Sequence, residues 1–227
     1  MTQLVMASLF FPFSHFLIAS TPLRAALVNC LGERRYSIGY SLLAVIALIW
    51  LTVAYRQAPV TPLWHTPHWV WLALAPIILL SAILAMAGLT TPNPVIVRSE
   101  ALFDRPEIVR GVLRITRNPF FWGVGLLAAA HVIIIGDVAA MLAFGSVALL
   151  GIAGGGLLDA KKARKHGRAW EAFAAVTSDI PFLAIMQSRQ RFAWREIGLW
   201  RIGLGLGVFI TALALHRTLL GESLATE

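Results

Sequence analysis

The stretch Arg117–Asp137, RNPFFWGVGLLAAAHVIIIGD, decides what kind of molecule this chain makes. From Pro119 to Ile135 it has no charged side chain, and its one ionisable group is His131. Asn118-Pro119 marks a helix start, because the residue before proline avoids the helical region while proline suits the first helical turn. Gly136-Asp137 reads as a tight turn out of the helix. An apolar segment in lipid must satisfy its own backbone hydrogen bonds, which a helix does. An imidazole inside such a helix is costly and marks a bundle interior, a cavity or a ligand site. His131 is therefore the first candidate.

Outward from that stretch, apolar runs recur at 2–20, 37–56, 68–89, 138–158 and 198–219. With 119–135 they make six, each near the roughly 20 residues that cross a bilayer. Of the 227 residues 58% are hydrophobic and 13% charged, and the mean hydropathy is +0.76. A soluble domain could not hide so much apolar side chain. The expectation is all-α: a polytopic membrane helical bundle of about six transmembrane helices plus short interfacial helices, one integral membrane domain over 1–227.

The net charge of +8 is unevenly spread. Loops 21–36, 90–118 and 159–197 hold 16 of the 19 Lys and Arg residues. That asymmetry puts these loops in the cytoplasm and both termini outside. The excess of positive charge is thus an orientation signal with membrane lipid as its partner; no nucleic-acid fold pattern accompanies it. Residues 1–20 read as a retained helix, since no Lys or Arg precedes Arg24 and a secretory leader needs a basic start. The single cysteine, Cys30, forms no internal disulfide and no CxxCH or CxxC motif, so any haem is held without covalent bonds.

Other candidates follow along the chain. His15, in FFPFSHFLI, is either an interhelical hydrogen-bonding group or a ligand. His65 and His68 lie in PVTPLWHTPHW, where three prolines oppose the helix a two-histidine metal site needs; Trp64, Trp69 and Trp71 suit a membrane interface. Asp104, Pro106 and Glu107 predict a capped helix running to about Arg117. On it Arg110, Arg114 and Arg117 share a face, ready for lipid headgroups or a carboxylate-bearing ligand. Gly145, Gly151, Gly154, Gly155 and Gly156 allow close helix approach or room for a flat ligand. The run DAKKARKHGRAWEAF from Asp159 reads as a basic interfacial helix, with Trp170 and Phe173 facing the acyl boundary and His166 in solvent. GLGLG at 203–207 lies in a membrane helix, without the strand a nucleotide fingerprint needs.

The run TRNPFFWG, then His131, Gly136-Asp137, HGRAW, Thr177-Ser178 with Pro181-Phe182, the early Ser14-His15 and the late Leu215-His216 together resemble the NnrU family. That family includes 15-cis-zeta-carotene isomerases and bacterial members associated with nitrite and nitric oxide reduction. The resemblance implies a multispan protein of the bacterial inner membrane with a b-type haem held by His15 and His131. It also implies a cis-trans isomerase acting on a hydrophobic polyene, or a non-enzymatic haem protein serving respiratory redox partners. Arg110, Arg114 and Arg117 would meet haem propionates or lipid. Family members read His where this chain has Asn118, and plant members read Cys where it has Ala128. Counted at about 1.5 Å per residue, His15 lies near 8 Å deep and His131 near 18 Å; His216 and the outer-loop histidines are reserve ligands. RNPFFWG with HGRAW also resembles S-adenosylmethionine-dependent membrane methyltransferases, which place a Glu pair where this chain has Asp159, Lys161 and Lys162.

Overall fold

A computed structural model describes residues 1–95, 102–103 and 108–220. A helix stands at each of the six expected places: α1 (Thr2–Ser20), α3 (Glu33–Arg56), α4 (His68–Thr90), α5 (Pro119–Ile135), α6 (Val138–His166) and α10 (Leu199–Leu220), the last preceded by the short α8 (Leu183–Met186) and α9 (Trp194–Ile197). Four of them, α3, α4, α6 and α10, are long and apolar enough to cross a membrane on their own. α1 meets that test together with α2 (Pro22–Leu31), from which it is bent by 72°. At 17 residues, α5 sits at the short end of the spanning range of about 17–25. The protein is an all-helical, multi-pass membrane bundle, and among the described residues no strand interrupts it.

α2 was not expected, since 21–36 reads as a basic loop. Its start is nonetheless written in the chain: the Thr21 hydroxyl accepts from Leu23 N at 3.2 Å, with Pro22 in the first turn. That is the N-cap arrangement of a helix.

Packing runs in a row. α10 lies on α4, α4 on α5, α5 on α6, α6 on α1, and α1 on α3, with α3 also touching α6. One core joins Leu4, Ala7 and Phe11 of α1 to Ala47, Leu51 and Ala54 of α3 and to Ala139 and Ala143 of α6. A second gathers Leu84 and Ala87 of α4 with Val112, Ile115 and Ile197. Small residues set the spacing. A Cβ on Gly151 would come within 2.6 Å of Gly125 Cα, so α5 and α6 touch backbone to backbone there. Of the two roles open to these glycines, this pair serves close packing. Outward faces remain apolar: only 17% of the apolar window of α3 and 6% of that of α10 is covered by protein.

At one end of the bundle, the proline-rich loop before α4 clamps the α5–α6 turn. Leu63 N and Trp64 N donate to Gly136 O, and Val138 N donates to Thr61 O. Trp64 Nε1 and Thr66 Oγ1 both donate to Ile133 O, at 2.9 and 2.8 Å. These bonds satisfy the carbonyl groups that a helix leaves open at its C-terminus. Gly136, at φ 69°, lies under Trp64 O, which would be 2.6 Å from any Cβ there. Asp137 caps α6 by accepting from Ala140 N.

Candidate functional site

The opposite end, rich in arginine and lysine, holds the most connected polar cluster. Arg117 pairs with Asp159 through Nε at 2.8 Å and through its terminal nitrogen. Both side chains are largely covered, at 14% exposure each. Asn118, itself buried, donates through Nδ2 to Asp179 at 2.9 Å and toward Asp159 at 3.4 Å. Trp122 Nε1 reaches the same Asp179 oxygen at 3.4 Å. The Thr116 hydroxyl donates to Asp179 O, and Arg117 N donates to Ser178 O at 2.9 Å. Asn93 Nδ2 donates to Arg117 O at 2.8 Å, and Lys162 Nζ to Pro94 O at 3.2 Å. The start of α5, the end of α6 and the loops before and after them are thus tied into one knot. Two carboxylates, a guanidinium and an amide saturate one another, which is how a chain buries charge.

Three expectations for this end are corrected. The helix from 104 to 117 is absent over 108–117: the chain makes only a short 3-10 turn, Gly111–Arg114, and the expected cap at Asp104, Pro106 and Glu107 lies outside the described residues. Gly111 takes φ 60° with Glu196 O where a Cβ would be, at 2.8 Å, and this turns the chain out of a helix. Arg110, Arg114 and Arg117 therefore do not form one helical row. Arg114 binds Glu196 through Nε at 2.7 Å and Gln190 through Nη1, Arg117 binds Asp159, and Arg110 is exposed. Second, the segment from Asp159 is no separate helix: α6 continues to His166, Gly167 breaks it, and α7 (Arg168–Val176) follows. Trp170 and Phe173 face inward against Val95, each 4% exposed. Third, His166 is half-buried, its ring 5.1 Å from that of Phe103.

Three histidines on the long helices are each held the same way; His15 and His131 are half-buried and His216 is exposed. His15 Nδ1 bonds Phe11 O at 2.7 Å, His131 Nδ1 bonds Leu127 O at 2.8 Å, and His216 Nδ1 bonds Ala212 O at 3.0 Å. A carbonyl partner fixes the tautomer, with the proton on Nδ1 and the lone pair on Nε2, the form in which imidazole ligates a metal. The donor chemistry therefore fits haem iron at each position. Their placement separates them. The His131 ring stacks on Phe144 at 4.9 Å and lies 6.1 Å from the ring of His216. His15 instead faces Phe11 at 4.8 Å and Tyr40 at 5.7 Å. α1 packs on α3 and α6, and α5 on α4 and α6, so the helices bearing His15 and His131 share α6 as a neighbour. Among the described ring contacts, His131 and His216 are the two of these three imidazoles that meet. His65 and His68 are exposed and straddle the start of α4; among the described residues no three His, Cys, Asp or Glu side chains gather as a metal site.

A family model described as NnrU protein matches residues 3–224. The chain belongs to the NnrU family. It is also 36% identical over 96 residues to a protein named 15-cis-zeta-carotene isomerase, chloroplastic, from Arabidopsis thaliana. That match covers 40% of this chain and 25% of the relative, so the chain spans about a quarter of that protein's length. No solved structure matches.

In this NnrU protein, TRNPFFWG, HGRAW and TSDIPF, far apart in sequence, converge on the knot. The Arg117 guanidinium lies 5.6 Å over the Trp170 ring, and Asn118 bridges toward the two aspartates. Sequence reasoning overlooked Asp159, Asp179, Asn118 and Glu196 as partners. The signal was available: the chain has only 11 acidic residues, and acids set among basic loops beside membrane helices need cationic partners.

Proposed function

We propose that this NnrU-family protein acts as a carotenoid-isomerase-like membrane enzyme, turning a cis double bond of a zeta-carotene-like polyene to trans with the help of a b-type haem. The observation that carries the reading is the environment of His131: an imidazole inside an apolar helix, its Nδ1 committed to a carbonyl and its Nε2 left for a ligand. The likeness to the named plant isomerase supports the substrate class. His131 would hold the haem. His15 is the second ligand the resemblance implies, and His216 is the imidazole nearer to hand. When bound, the haem would supply a redox-active, Lewis-acidic iron able to lower the torsional barrier of a double bond.

The chain's own residues do the remaining work. Phe144 packs flat on His131 and holds its ring plane. The Arg117–Asp159 knot fixes the start of α5, and with it the depth of His131. The exposed apolar faces of α3 and α10 let a polyene arrive laterally from the bilayer. We place the protein in a bacterial inner membrane with both termini outside, supported by the basic loops on one side. The test is incubation of the reconstituted, haem-supplied, reduced protein with 15-cis-zeta-carotene, followed by chromatographic separation of isomers. Conversion to the trans-configured central bond, lost in His131→Ala, supports the proposal; an unchanged isomer mixture overturns it.

A further inference from the structure

A separate cavity of about 650 Å³ opens at the basic end, and none of His15, His131 and His216 lines it. Part of its wall is apolar, made by Phe103, Val109, Phe173 and Val176, and part carries Arg110, Arg114, Arg191 and Glu196. Its volume falls within the range of small-ligand sites, about 300–1,000 Å³. Among the described lining residues the charges are not balanced: Arg114 and Glu196 neutralise each other at 2.7 Å, leaving Arg110 and Arg191. Arg191 is 77% exposed and touches Glu196 only at 3.4 Å, and Arg110 has no carboxylate partner among the described residues.

We propose that this cavity binds an anionic phospholipid, its phosphate between Arg110 and Arg191 and its first acyl methylenes along Phe173 and Val176. Guanidinium groups pair with phosphate through parallel hydrogen bonds, and the two left over match a single phosphodiester with charge to spare. The apolar wall argues for a lipid over a free anion, since a soluble phosphate leaves that wall uncovered. The adjoining segment supports the same occupant. Met186 is 79% exposed and Phe192 55% exposed, while Arg195 and Arg201 lie over the rings of Trp194 and Trp200 at 5.4 and 4.5 Å. Exposed aromatic rings alternating with cations are the signature of the headgroup level of a membrane. The inference is independent of the haem and isomerase reading.

The test is native mass spectrometry of the full chain released from nanodiscs of phosphatidylcholine doped with phosphatidylglycerol, repeated with the Arg110→Gln, Arg191→Gln double variant. We expect retained phosphatidylglycerol on the wild type, at least tenfold less on the double variant, and unchanged circular dichroism. Equal retention by both proteins, or no preference of the wild type for phosphatidylglycerol over phosphatidylcholine, would overturn the proposal. A competition on the wild type alone covers the case of a misfolded variant: inorganic phosphate at millimolar concentration should leave the lipid bound. If it strips the lipid, the site is one for soluble anions and the lipid assignment fails.

Discussion

The knot at the basic end and the histidine pair in the bundle treat polar groups in opposite ways. Around Asn118 the chain answers itself: Asp159 has Arg117, Asp179 has Asn118 and Trp122, and Thr116 and Arg117 donate to the backbone of the facing loop. Around His131 the chain supplies half of what an imidazole can use. One nitrogen is bonded to Leu127 O, and the ring is packed against Phe144 and His216. A saturated cluster is architecture, and a half-satisfied one is an invitation to a ligand. The same family segments build both, because the knot sets where α5 begins and so where His131 stands.

The sharpest way to break the comparison is to cut the knot. Arg117→Ala strands Asp159 in a covered site, and we expect a loss of about 3–5 kcal/mol, read as a large drop in the unfolding midpoint in mild detergent. His131→Ala without added ligand should leave that midpoint nearly unchanged; equal losses would erase the distinction. Gly151→Ala comes next. Its new Cβ would press on Gly125 Cα at 2.6 Å and Phe121 O at 2.8 Å, and overpacking of this kind costs about 1–3 kcal/mol. Asn118→Ala should cost about 1–3 kcal/mol by stripping the half-buried Asp179 carboxylate of a donor. Asn118→His should recover part of that loss, since an imidazole N–H can donate to Asp179. A smaller effect concerns pH. Hydrogen bonding from Arg114 holds the Glu196 carboxyl below the ordinary glutamate value of 4.5, helped by Gly111 N. A lowered acid stabilises the fold above its unfolded pKa, and the contribution fades as pH falls through the folded value. The wild type should therefore lose stability below about pH 4.5, and Glu196→Gln should flatten that slope.

The six long helices were legible because hydropathy over about 20 residues is a strong signal, and Pro119 and Gly136 punctuate α5 where the structure does. α2 was hidden because PLRAALVNCL mixes polar and apolar residues without a long run, although Thr21-Pro22 announced it. The arginine row was misread because a four-and-three spacing presumes a helix, and Gly111 at φ 60° ends one. Trp170 and Phe173 were recognised as an apolar face. What covers that face, Val95 and Phe103, comes from a loop over 60 residues earlier. His131 was found as a lone imidazole in an apolar helix. That His216 lies beside it depends on how α10 folds back onto α4, which no local pattern records.

The most direct test of the account is the visible spectrum of the purified, haem-supplied protein, oxidised and then reduced, beside His131→Ala, His216→Ala and His15→Ala. The account predicts a reduced b-type spectrum that collapses in His131→Ala, with whichever of the other two variants also loses it identifying the second ligand. A wild-type protein that stays colourless, or a spectrum that His131→Ala leaves intact, would contradict it.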